Sequence, residues 1–223
     1  MSLLETVEIE TAAAPRFSVV WLHGLGADGR DFEPIVPELV RRDWPATRFV
    51  FPHASVRPIT INGGVRMRGW YDISGMELEH KQDEPGIRSS LAQVDALLDR
   101  ERERGVPPER QFLAGFSQGG AIALSRLVRS AQPLAGVIAL STYLPIADKS
   151  LAEATEASRR TPVFMGHGSM DPVVGMALGT MSRDWLQRAG YAVQWHSYPM
   201  PHSVCADEIG DVADFMQPIL MAG

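Results

Sequence analysis

The chain has 223 residues, 45% hydrophobic and 22% charged. That is globular composition, long enough to bury a core without disulfides, and α/β folds of about 200–250 residues are commonly single domains. The net charge of −6, with no basic run beyond the mixed "DRERERG", excludes nucleic acid as a partner. A single cysteine, Cys205, excludes an intrachain disulfide and fits a reducing compartment. The first residues, "MSLLETVEIETAAAPR", lack the basic and apolar regions of a secretory signal. The longest uncharged stretch, Ser130 to Ala147, is broken by Gln132, Pro133, Gly136 and Pro145 and cannot span a bilayer. A soluble, cytoplasmic protein with one domain over residues 1–223 is expected.

Short apolar runs recur along the chain. "FSVVWL" (17–22) is followed by the glycine-rich "LHGLGADGRD" (22–31) and a helical pattern over 31–43. "TRFVFP" (47–52) precedes an excursion, "RPITINGGVRMRGWYDI" (57–73), in which Asn62-Gly63-Gly64 signals a hairpin. In 86–104, Ile87, Leu91, Val94 and Leu98 share one helix face, and the helix stops at Gly105 ahead of Pro107 and Pro108. "QFLAG" (111–115), "GVIAL" (136–140), "TPVFMGHG" (161–168) and "VQWHSYP" (193–199) are further strands. Helical patterns over 118–131, 173–189 and 206–220 separate them, the last with Val212, Phe215, Met216 and Ile219 as its stripe. Most strands lack period-two alternation, as strands buried on both faces do. Alternating strands and helices predict a mostly parallel sheet with helices on both faces.

The stretch "FLAGFSQGGAIAL" (112–124) carries the chemistry. "GFSQG" fits G-x-S-x-G, with Ser117 between Gly115 and Gly119 on a strand-to-helix turn. Glycines let strand and helix approach, and the turn lifts the hydroxyl over the carboxyl end of the sheet. The five-residue pattern occurs by chance. Its place between an apolar strand and a small-residue helix supplies the required context.

A serine is a weak nucleophile without a base, and the base needs an orienting acid. In this motif the chain order is serine, acid, histidine. Of the histidines after Ser117, His196 lies within a strand and reads as structural. His167 ends a strand but precedes the acid. His202, in the loop "PMPHSV", can reach back over the serine. Asp171, in "HGSMDPVV", is the candidate acid, though Asp before Pro172 is equally a good helix cap. Asp148 lies in a polar run and reads as surface.

Acyl transfer also needs oxyanion donors. One is the N–H after the nucleophile, on Gln118; the other comes from "HGLG" (23–26), with Leu25 or Gly26 as donor. Gly24, Gly26 and Gly29 match G-x-G-x-x-G, but the next strand ends without the acidic residue a dinucleotide site requires. His23, His53 and His80 are scattered and no metal-ligand spacing occurs. No cofactor and no metal is implied.

With these residues in hand, the chain resembles the phospholipase/carboxylesterase family of α/β-hydrolases, which includes bacterial carboxylesterases and acyl-protein thioesterases. The resemblance runs through "VVWLHGLGADG", "TRFVFPHA", "RPITINGG", "GWYDI", "FLAGFSQGGAIAL", "GVIALSTYLP", "HGSMDPVV" and "YPMPHSV". It implies an α/β-hydrolase fold, a triad of Ser117, Asp171 and His202, and oxyanion donors on Leu25 and Gln118. It is compatible with a homodimer. Residues 141–160 leave little room for a cap, so an open site is expected, walled by the 57–76 excursion and the loop before His202. Trp70, Tyr71, Met76, Val173 and Val174 are candidate pocket residues, each equally explained by core packing. The expected activity is hydrolysis of a small-molecule ester with a short-to-medium acyl chain. A thioesterase or lysophospholipase for longer chains is the alternative. A catalytically silent binding fold would lack some element of this set, and none is missing.

Overall fold

The computed structural model describes residues 3–75 and 82–222; Met76 lies outside them. Seven strands form the main sheet: β1 (Thr6–Glu10), β2 (Phe17–Leu22), β3 (Thr47–Pro52), β6 (Gln111–Phe116), β7 (Gly136–Leu140), β8 (Val163–Gly168) and β9 (Val193–Tyr198). Their order is β1-β3-β2-β6-β7-β8-β9. All pairings are parallel except β1 with β3. The central strands β2, β3, β6, β7 and β8 are buried almost throughout, which is why they read as continuous apolar runs. The separate antiparallel hairpin of β4 (Val56–Ile59) and β5 (Val65–Arg68) occupies the predicted excursion. Gly63 and Gly64 turn it with φ of 64° and 79°.

Helices cover both faces. On one, α2 (Glu84–Glu103), α3 (Gln118–Val128) and α5 (Met176–Arg188) bury Ile87, Leu91, Val94, Ile122, Leu127 and Leu186. On the other, α1 (Val36–Leu39) and α6 (Ala206–Ala222) bury Leu39, Val212, Phe215 and Met216 against Phe49, Phe112 and Phe164. Asp83 caps α2 by accepting the Gly86 N–H at 2.9 Å. No helix among the described residues is long and apolar enough to cross a membrane.

Two readings of the sequence need correction. The pattern over 31–43 is not one helix. It is a 3-10 turn (Glu33–Ile35) and the single turn of α1, and Val40 is already extended at ψ 127°. Pro34 and Pro37 lack the N–H a longer helix needs. The helix expected from 173 begins at Met176, after the turn that Asp171 organises. Asp148 is exposed, as read, on a short helix, α4 (Ala147–Ala152).

Strand β1 went unpredicted, although "TVEIE" alternates. Its apolar side, Val7 and Ile9, packs on the core. Its acids meet a basic cluster: Glu8 pairs with Arg100 and Arg104 at 2.8 and 2.9 Å, and Glu10 with Arg48 at 2.8 Å. Such charges blunt an exposed sheet edge. Beneath them, the fully buried Glu101 carboxylate accepts from Arg48 Nη1 at 2.8 Å and Arg104 Nη1 at 2.9 Å. Glu101→Ala removes the buried acceptor of Arg48 Nη1 and leaves Arg48 with Glu10 as its carboxylate partner, so it should cost about 1.5–3 kcal/mol, read as a lowered urea midpoint. A loss below about 1 kcal/mol would show that the cluster is solvated.

Candidate active site

Ser117 sits between β6 and α3 with φ 54° and ψ −119°. For a residue with a Cβ this is a strained conformation, held only where the surroundings over-determine it. Three hydrogen bonds do so here. Ser117 N–H donates to Leu140 O at 2.9 Å, and Ser117 O accepts from Ala121 N–H at 3.1 Å and Thr142 Oγ1 at 2.6 Å. The two glycines permit the packing: a Cβ on Gly115 would lie 2.4 Å from Gly119 C, and one on Gly119 would lie 2.2 Å from Leu22 O. Gln118 is the first residue of α3, so its N–H has no preceding turn to bond.

Asp171 follows β8 and its side chain is fully buried. Oδ1 accepts the N–H groups of Val173 and Val174 at 2.8 and 2.9 Å. Oδ2 accepts from His202 Nδ1 at 2.7 Å. Asp171 is not the helix cap that its place before Pro172 suggested, since α5 starts at Met176 with Gly175 as its cap; one oxygen organises the preceding turn and the other accepts from the imidazole. His202 lies in the loop between β9 and α6, its ring 4.7 Å from that of Phe116. With Nδ1 donating to Asp171, the neutral ring presents Nε2 as a free acceptor. The loop crosses tightly over β8: a Cβ on Gly168 would lie 2.4 Å from Pro201 O.

Ser117, His202 and Leu25 line one cleft of about 310 Å³, together with Phe116, Val173 and Asp31. No hydrogen bond joins Ser117 Oγ and His202 Nε2 among the described residues; such bonds often tighten only around substrate. The structure also distinguishes the two glycine-loop donors. Gly26 N–H is occupied by Arg68 O at 2.8 Å. Leu25 N–H has no acceptor among the described residues.

The expected pocket needs revision. Val173 lines the cleft. Trp70 does not: it is fully buried in the core, its Nε1 donating to His23 O at 2.9 Å. Tyr71 is 2% exposed, bonds Tyr143 Oη at 3.1 Å and does not line the cleft. Val174 is 3% exposed and packs inward. The excursion folds behind the site and braces it instead. Gln118 Oε1 accepts from Trp70 N–H at 2.8 Å, and its Nε2 donates to Tyr71 O at 2.7 Å.

Two histidines, His167 at the strand end beside the site and His23 in the glycine loop, take supporting roles that no local motif marks. His167, buried, places Nε2 2.8 Å from Val174 O and 3.6 Å from Asp171 Oδ2, backing the acid. Burial holds its pKa below the usual value. His23 anchors the glycine loop: Nδ1 donates to Gly24 O at 2.7 Å and Nε2 accepts Ala54 N–H at 3.1 Å. That tautomer follows from the partners, a carbonyl that only accepts and an N–H that only donates. His196 is structural, as read, stacking on Phe164 at 5.3 Å.

The sequence pattern of the phospholipase/carboxylesterase family matches residues 4–220. The chain belongs to that family. The fold is the α/β-hydrolase fold, and the chain is a hydrolase of the ester- and thioester-cleaving class. Among curated family proteins it is 41% identical over 208 residues to acyl-protein thioesterase 1 of Neurospora crassa, covering 89% of this chain and 85% of that one. It is 33% identical over 214 residues to a probable carboxylesterase of Oryza sativa subsp. japonica, covering 95% and 80%. The crystal structure of Arabidopsis thaliana SOBER1 superposes with a TM-score of 0.87 at 29% identity, covering 92% and 99%.

Burial, above all, pushes the His23 pKa down to about 4. The unfolded chain protonates this residue near the ordinary imidazole value of 6.5, so between those values the unfolded state holds more protons. Its contribution to stability is complete above pH 6.5 and is lost as pH falls toward 4. Ring ¹⁵N NMR should show His23 neutral down to about pH 4. Titration near 6.5 would contradict the buried, doubly bonded ring.

Proposed function

We propose that the protein is a serine carboxylesterase for short-to-medium acyl esters, with Ser117 as nucleophile, His202 as base and Asp171 as orienting acid. The observation that carries this is the 2.7 Å bond from His202 Nδ1 to the buried Asp171, in the cleft that also holds the strained Ser117. His202 Nε2 takes the proton of Ser117 Oγ as that oxygen attacks the acyl carbon. Asp171 holds the tautomer and stabilises the imidazolium. The N–H groups of Leu25 and Gln118 receive the negative oxygen, the latter at the positive end of α3. The alcohol departs with the proton from His202. Water, deprotonated by the same ring, then releases the acid. The mechanism draws on side chains, backbone and water alone, and a cytoplasmic setting suits the unpaired Cys205.

The cleft, about 310 Å³, is at the small end of ligand sites and favours short-to-medium chains. A second reading, cleavage of longer acyl thioesters, is favoured by the name of the Neurospora relative. Hydrolysis of p-nitrophenyl esters of rising chain length, beside a palmitoyl thioester, distinguishes the two. Short-to-medium esters should be the better substrates. Faster thioester turnover at long chain would install the second reading. Ser117→Ala should lower turnover on the order of 10⁶-fold and Asp171→Asn about 10⁴-fold with folding intact. Retained activity in Ser117→Ala would remove the mechanism altogether.

A further inference from the structure

One wall of the cleft carries a charge that the chemistry above does not use. Asp31 lines it alongside Leu25, Phe116 and Val173, which are apolar. Its N–H donates to Asp28 O at 3.1 Å, but its carboxylate has no hydrogen-bond or ion-pair partner among the described residues. It caps no helix: the 3-10 turn that follows starts at Glu33, with Phe32 as its N-cap and no side-chain cap. The cations of this region are committed elsewhere. Arg30 pairs with Glu33 at 3.3 Å, Arg68 donates to Ala54 O at 2.9 Å, and His53 faces Asp28 at 4.0 Å. Asp31 is exposed on the cleft wall; the desolvation it undergoes there, then Asp28, raises its pKa. Among the described residues, an anion in this position therefore meets a second anion and no cation.

We propose that Asp31 is a specificity-determining residue that favours esters or thioesters carrying an ammonium group, which lies beside its carboxylate in the cleft. The proposal rests on the reading of Ser117 as nucleophile and names the substrate class for that site. The hydrolysis itself is unchanged: water adds across the acyl bond, and the alcohol or thiol leaves with one proton. A substrate with a carboxylate in the same place is disfavoured by like charge.

Two isosteric pairs test it at pH 8 and low salt. Butyrylcholine against 3,3-dimethylbutyl butyrate puts the cation on the alcohol. Ethyl 4-(trimethylammonio)butyrate against ethyl 5,5-dimethylhexanoate puts it on the acyl chain. In at least one pair the wild type should favour the cationic member about three- to fivefold in kcat/KM, mostly through KM, as a partly exposed ion pair allows. Asp31→Asn should bring that ratio to about one, Asp31→Glu should keep part of it, and added salt should erode it in the wild type. A wild-type ratio at or below one in both pairs, or a preference that Asp31→Asn leaves intact, overturns the proposal. Failure of the wild type to hydrolyse even the neutral members would instead sink the esterase reading, and the proposal with it.

Discussion

The site depends on one backbone constraint, the positive φ of Ser117 between β6 and α3. No local preference of serine explains it. The turn is forced because α3 packs on β6 and β2 so closely that Gly115 and Gly119 have no room for a methyl group. Carbonyls and donors from neighbouring segments, Leu140, Ala121 and Thr142, then fix the serine on all sides. Strain of this kind, on the order of 1–3 kcal/mol, persists only because the sheet and helix are each anchored elsewhere. The consequence is a hydroxyl raised above the carboxyl edge of the sheet, next to a helix N-terminus with an unbonded N–H.

A second layer holds the partners of that hydroxyl. The β4–β5 excursion runs behind the glycine loop, where Arg68 O occupies Gly26 N–H and leaves Leu25 open. Gln118 clamps the same excursion through its side chain while its backbone N–H starts α3. His23 ties the glycine loop to Ala54 and, through its own carbonyl, to Trp70. On the far side Asp171 divides its two oxygens between a turn and His202. The groups proposed to react are carried on loops, but almost every loop is bonded to a buried residue. Their positions are thereby set before any substrate arrives, as electrostatic preorganisation requires.

What was legible in the sequence follows from where the information is local. The strand-to-helix turn at Ser117 announces itself through adjacent glycines, and Asp171 and His202 each lie just beyond an apolar strand, so chain order and strand ends bring them together. The parallel core was readable because β2, β3, β6, β7 and β8 are buried on both faces. Other features depend on distant contacts. Trp70 and Val173 are both apolar residues near the motifs, yet one is fully buried and the other is 49% exposed on the cleft. Only the path of each loop, the excursion for Trp70 and the turn after β8 for Val173, decides between them. The His23 and His167 braces need partners 31 and 7 residues away and leave no pattern. Two misses were avoidable. The alternation in "TVEIE" marks an edge strand, and Pro34 and Pro37 argue against a long helix over 31–43.

The most direct test of this account is covalent labelling of the folded protein with a fluorophosphonate, followed by peptide mapping. The phosphorus should be found on Ser117 alone, and labelling should disappear in Ser117→Ala. It should also be slowed strongly in His202→Ala, since the base is needed to activate the oxygen. Modification of a different serine, or esterase activity that survives full exposure to the reagent without a label on Ser117, would contradict the account.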